Sequence, residues 1–183
     1  MFELKELCAY VARCGYRVVL AIMVDTIPMW VERNKGEYTF FIIEDSGKYR
    51  LLWGVVYFKE VLRLLRKTNP DSVRSYEELK AWLQTKAGFA AYLEHFYMIE
   101  DNLSDAILHD IEQVKDMDLS KPPQGSQGLD GFTTYVYNPS NETEMSVWCV
   151  HHDAYYAPLT GLANLLLDTL GLDDDFRIDY CAR

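Results

Sequence analysis

The chain has 183 residues, and its 18 Lys+Arg against 28 Asp+Glu leave a formal charge of −10. Half of it is apolar, which excludes a disordered polymer, and its acidity excludes a protein that coats nucleic acid, because phosphate binding needs an excess of Lys and Arg. The length suits a single domain over residues 1–183 with an ample core.

The first residues, Met1 to Leu7, mix Glu and Lys into what would be the apolar stretch of a secretory signal, so none is expected. Leu4, Leu7, Cys8, Val11 and Cys14 fall on one helical stripe, and Gly15 stands where that helix should stop. Tyr16 to Val24 then changes period and reads as a strand covered on both faces. Met29–Arg33, Glu37–Glu44 and Tyr49–Trp53 read as further strands, separated by Asn34-Lys35-Gly36 and Asp45-Ser46-Gly47-Lys48. The expectation is an antiparallel meander over about residues 16–53. Its run Phe40 to Ile43 is apolar on both sides, so helices or a second chain must cover each face.

A helical middle is expected over 55–117. Val55, Phe58, Val61, Leu62 and Leu65 form one stripe, with Lys59, Arg63, Arg66 and Lys67 opposite. Ser75 and Glu78 have the spacing of a capping box ahead of Leu79, Trp82 and Leu83. Phe89, Tyr92, Leu93 and Phe96 continue beyond Gly88, and Leu103, Ile107, Ile111 and Val114 define another helix. Residues 118–131 have no period and two prolines, which reads as a mobile loop. Thr133–Tyr137 and Thr143–His151 then flank a hairpin turn, and Pro158–Leu170 reads as an apolar helix closed by Gly171. The fold class is therefore α+β, with the late hairpin either extending the first sheet or forming its own. Residues 173–183 read as an edge strand or a flexible acidic tail.

Charge is uneven along this order. Residues 1–67 carry 11 basic and 8 acidic side chains, residues 68–116 carry 4 and 10, and residues 117–183 carry 3 and 10. In the second segment Asp105, His109, Glu112 and Asp116 recur at i, i+4, i+7 and i+11, one polar stripe on the helix of Ile107 and Ile111. Beyond the last helix stand Asp173, Asp174 and Asp175. These six carboxylates are the expected contacts for a partner with a basic surface, since acidic surfaces steer such partners. Imitation of nucleic-acid phosphates is a special case of the same reading.

An enzyme would look different. Cys149, His151, His152 and Asp153 form the most reactive-looking cluster, and strand alternation puts Cys149 and His151 on one face. That pair is a candidate for a Cys-His hydrolase, although such dyads come as a rule from separate elements. His151, His152, Asp153 and His109 are candidate metal ligands, with Glu94 or His95 as the nearest further suppliers to the His109 stripe. No phosphate loop, nucleophile elbow or dinucleotide fingerprint occurs, so no cofactor is expected. The four cysteines lack metal or disulfide spacing, and the longest apolar run, Val18–Val24, is far too short for a bilayer. A reduced, cytoplasmic, membrane-free protein follows. The leading expectation is a non-enzymatic inhibitor, antitoxin or immunity-type partner of a basic protein, ahead of a hydrolase and of a subunit that self-associates as a homodimer.

Overall fold

The structure is a computed structural model that describes residues 3–25, 37–56, 76–121, 133–148 and 154–169. Six strands form one sheet: β1 (Arg17–Asp25), β2 (Glu37–Asp45), β3 (Lys48–Val56), β4 (Tyr97–Glu100), β5 (Thr133–Asn138) and β6 (Thr143–Trp148). Their order across the sheet is β4-β3-β2-β1-β5-β6, and every neighbour is antiparallel. Among the described residues five α-helices complete the α+β fold: α1 (Leu4–Arg13), α2 (Tyr76–Leu83), α3 (Lys86–Phe96), α4 (Asp105–Lys115) and α5 (Ala157–Thr169).

The sheet forms where side-chain alternation and turn chemistry agree. The β2–β3 connection is a two-residue turn with both Ser46 (φ 53) and Gly47 (φ 77) in the left-handed region. That twist matches the flanking strands, and Gly47 adopts it without a Cβ penalty. The register then runs unbroken from Asp45↔Lys48 to Glu37↔Val56. β1 carries a bulge: Val18 pairs with Ile43, but Leu20 pairs with Ile42. Val19 is the extra residue, so Val18 packs on one side of the sheet while Val19 and Leu20 both pack on the other.

Both faces are covered by the chain's own helices. On one face α4 and α5 bury Ile107, Ile111, Val114, Leu159 and Leu166 against Leu20, Ile22, Phe40, Ile42 and Val136. On the other face α1, α2 and α3 bury Leu7, Val11, Leu83, Phe89 and Tyr92 against Met23, Phe41, Ile43 and Leu52. The second core is aromatic. Tyr10 and Phe89 lie 5.0 Å apart between ring centres, Phe89 and Tyr92 5.7 Å, and Tyr92 and Tyr97 5.6 Å, spacings at which tilted rings attract.

Two sequence expectations change here. Val55 belongs to β3, not to a helix, because β2 is long enough to pair as far as Val56. The helical middle is also interrupted by β4, which pairs Tyr97–Glu100 with Leu51–Gly54. The open question of the hairpin is resolved: β5 joins β1 directly, so the late hairpin extends the first sheet. Asn138 fixes that hairpin to α4, since its buried side-chain amide donates to the Lys115 carbonyl (3.0 Å) and its carbonyl accepts from Ser140. The expected strand 29–33, the basic helix around Arg63, the Ser75 cap and the tail from Gly171 lie outside the described residues. No helix among the described residues is long and apolar enough to cross a membrane.

Candidate functional site

The acidic stripe lies on the outer side of α4, and local chemistry explains why that helix starts where it does. The Ser104 hydroxyl accepts from the Ile107 amide (3.3 Å), closing one of the orphan donors of the first turn. Asp105 follows in that turn, where negative charge is favoured by the helix dipole. Ile107, Ile111 and Val114 take the inner side and are buried, whereas Asp105, His109, Glu112 and Asp116 are all exposed. The spacing therefore reads correctly as one polar face. From Asp105 to Asp116 it extends about 16 Å at the α-helical rise.

The four groups are not equivalent. Glu112 pairs with Lys115 (3.0 Å), and the same ammonium donates to the Tyr49 hydroxyl (2.6 Å). The Tyr49 hydroxyl and the Lys115 ammonium hold the Glu112 carboxyl below the usual carboxylate range. His109 meets Gln113 of its own helix at 3.0 Å. Asp116 caps the C-terminal end, where its charge opposes the dipole and contributes nothing to helix stability.

Around this row the fold gathers acids that periodicity alone does not single out. Asp101 ends β4 and bonds Arg50 of β3, which also pairs with Asp45 at 3.0 Å. Asp118, beyond α4, accepts from the Ser120 amide and hydroxyl, bonds that depress its pKa. Its backbone exchanges hydrogen bonds with the Tyr155 hydroxyl, and Leu119 is buried in the core. Residues 100–118 thus carry seven carboxylates, Glu100, Asp101, Asp105, Asp110, Glu112, Asp116 and Asp118, against Lys115 alone. A cleft of about 480 Å³ opens between the β2–β3 turn and α4, lined among others by Lys48, Tyr49, Asp101, Asn102, Leu108 and Glu112. The signal that was available for this part of the surface is the short spacing from Glu100-Asp101 to the Ser104 cap, which places β4 and α4 side by side in the chain.

Other sequence candidates separate from it. Glu94 is on α3, which packs on the opposite face of the sheet from α4, so it is not a further ligand for the His109 stripe, and the same holds for the helix that carries His95. Among the described residues no three His, Cys, Asp or Glu side chains are grouped so as to hold a metal ion. Cys149, His151, His152, Asp153, Asp173, Asp174 and Asp175 lie outside the described residues. Much of the aromatic content is core: Tyr10, Tyr38, Phe40, Phe41, Phe89, Tyr92 and Tyr156 are all buried.

No family model matches the chain, and no curated protein or solved structure matches it either.

Proposed function

We propose that the protein is a small acidic binding protein, an inhibitor, antitoxin or immunity-type partner of a basic protein, and that α4 presents its docking face. One observation carries this reading: Asp105, Glu112 and Asp116 stand exposed on a helix whose opposite side does the packing. Packing does not call for those carboxylates, and Asp116 sits where the helix dipole disfavours it. A row of exposed carboxylates accelerates encounter with Lys- and Arg-rich surfaces and holds them by salt-sensitive pairs. Their spacing favours basic side chains over imitation of a duplex. Three carboxylates in about 16 Å are sparse beside a DNA strand, which bears roughly one phosphate per 3.4 Å of axis.

The test is affinity capture from the native host with wild-type protein and with an Asp105→Asn/Asp116→Asn variant. The reading expects one basic protein held by the wild type, released by added salt, and held far less by the variant. Capture that is equal for both, or no capture above background, removes α4 as the docking face.

A further inference from the structure

The two ends of the sheet are finished differently. β6 alternates as a solvent-facing edge strand should, with Met145 and Val147 buried and Glu144 and Ser146 exposed. β4 does not. Its Met98 is 62 % exposed and its Ile99 40 %, and these are the exposed large hydrophobic side chains among the described residues. They point to opposite faces, because side chains alternate along a strand. Among the described residues no strand pairs with the far side of β4, and half of its backbone donors and acceptors point away from β3. Tyr-Met-Ile-Glu carries no Lys, Pro or bulge, so only its shortness and the exposed Glu100 guard this edge.

A cleft adjoins this edge on the α1/α3 side. It measures about 330 Å³, and its lining includes Leu52, Leu93, Glu94, Tyr97 and Ile99. Apolar walls come from β3, β4 and α3, while the exposed Glu94 supplies a carboxylate. Glu100 and Asp101 add two more at the end of the strand, and Asp101–Ser104 lead directly into the acidic row of α4.

We propose that β4 accepts a seventh strand from the partner: an extended segment in which apolar residues alternate with Lys or Arg. Its backbone would complete the ladder, and because its side chains alternate, its apolar residues would pack on Ile99 and the cleft on one face while its Lys or Arg stems lie over Met98 on the other. Its cations would meet Glu100, which shares the Met98 face. The inference rests on the acidic-docking reading and names the element that recognises the partner's backbone. A second copy of this chain fits less well. Pairing two four-residue strands covers only about 14 Å of edge, and it brings two acidic patches together. A tethered segment gains instead from the local concentration created once α4 has engaged the same partner.

The probe is a labelled, end-capped nine-residue peptide alternating Lys and Val, with a control of equal charge in which alternate valines are replaced by proline. Proline cannot donate to a ladder, so the control keeps the electrostatics and loses the strand. Fluorescence anisotropy with the full chain should show the alternating peptide binding at least tenfold tighter than the control. Ile99→Lys and, separately, Met98→Lys should each reduce that preference to within twofold, whereas Ile99→Val should keep it. Thermal melting verifies that the variants are folded. Equal binding of the two peptides, no binding of either, or a preference that survives both Lys substitutions overturns strand addition. Concentration-dependent dimerisation abolished by the same substitutions overturns it in favour of a second copy. If the two peptides bind equally and Asp105→Asn/Asp116→Asn weakens both, the α4 reading stands and only the edge falls. A preference that persists in that double variant supports the edge by itself.

Discussion

Helices α1 and α4 cover opposite faces of one sheet, and inwardly they do the same work. Leu7 and Val11 lock α1 to the aromatic core as Ile107 and Ile111 lock α4 to the aliphatic one. Outwardly they differ. The exposed positions of α1 and its cap are mixed, Glu3 against Lys5 and Arg13, with Ala9 and Ala12 between. Those of α4 and its caps are Ser104, Asp105, Ala106, His109, Glu112, Gln113 and Asp116, three acids and no Lys or Arg. The same structural task is thus met with a balanced surface on one side and an acidic one on the other. Fold stability therefore does not explain the acids of α4, and that contrast is the basis for assigning them to recognition.

The equality of the inner sides is tested by the largest effect. Leu7→Ala and Ile111→Ala each empty a fully packed position and should each cost about 2–5 kcal/mol in denaturant unfolding. A loss on one side only would mean that one helix is dispensable. Next comes a difference in pH response. Burial, with Glu144 nearby, pushes the Cys8 thiol on α1 far up. A raised thiol pKa contributes stability that is complete below the unfolded value and is lost above it. Unfolding free energy should therefore fall from about pH 8.5 upward, by roughly 1 kcal/mol per pH unit, and Cys8→Ala should flatten that slope.

The caps give a smaller contrast. Ser104 caps α4, while Glu3 at the start of α1 makes no side-chain cap bond. Ser104→Ala should cost about 1 kcal/mol, and Glu3→Ser should add about 0.5 kcal/mol, both read from melting curves. Smallest is the outer row itself. Glu112→Gln should cost a few tenths of a kcal/mol at neutral pH, because its pair with Lys115 is largely exposed and screened. The Glu112 pKa is depressed, so this contribution exists above the ordinary carboxylate value and should disappear as the pH falls below about 4. A loss of several kcal/mol would make Glu112 structural and weaken the comparison.

Most of the fold was legible in the sequence because it is written in local pattern. The stripes of α1, α3 and α4, the Ser46-Gly47 turn and the β5–β6 hairpin all follow from periodicity and turn chemistry over a few residues. β4 was not legible. Tyr97 to Glu100 follows a helical stripe without a turn residue, and only pairing with Leu51–Gly54 makes it a strand. The same holds at the candidate site. The row from Asp105 to Asp116 can be read from spacing, whereas Asp101 lines a cleft with Glu112 and pairs with Arg50, 51 positions away, contacts that only the fold creates. Composition likewise cannot say which side of a surface a ring occupies, and only the fold puts the Tyr10–Phe89–Tyr92–Tyr97 chain inside.

The central claim is that the position of the acidic charge on α4, and not its total, selects the partner. The direct measurement is the affinity of the captured partner across a salt series for three proteins: wild type, Asp105→Asn/Asp116→Asn, and Glu142→Gln/Glu144→Gln, which removes equal charge from the exposed end of the hairpin. Two surface pairs near the upper value of about 1 kcal/mol each predict a loss of roughly tenfold to thirtyfold for the α4 variant, with a shallower salt dependence. The hairpin variant should stay within about twofold of wild type on the same scale. Equal losses for the two variants would show that only net charge matters, and would contradict the assignment of α4 as the docking face.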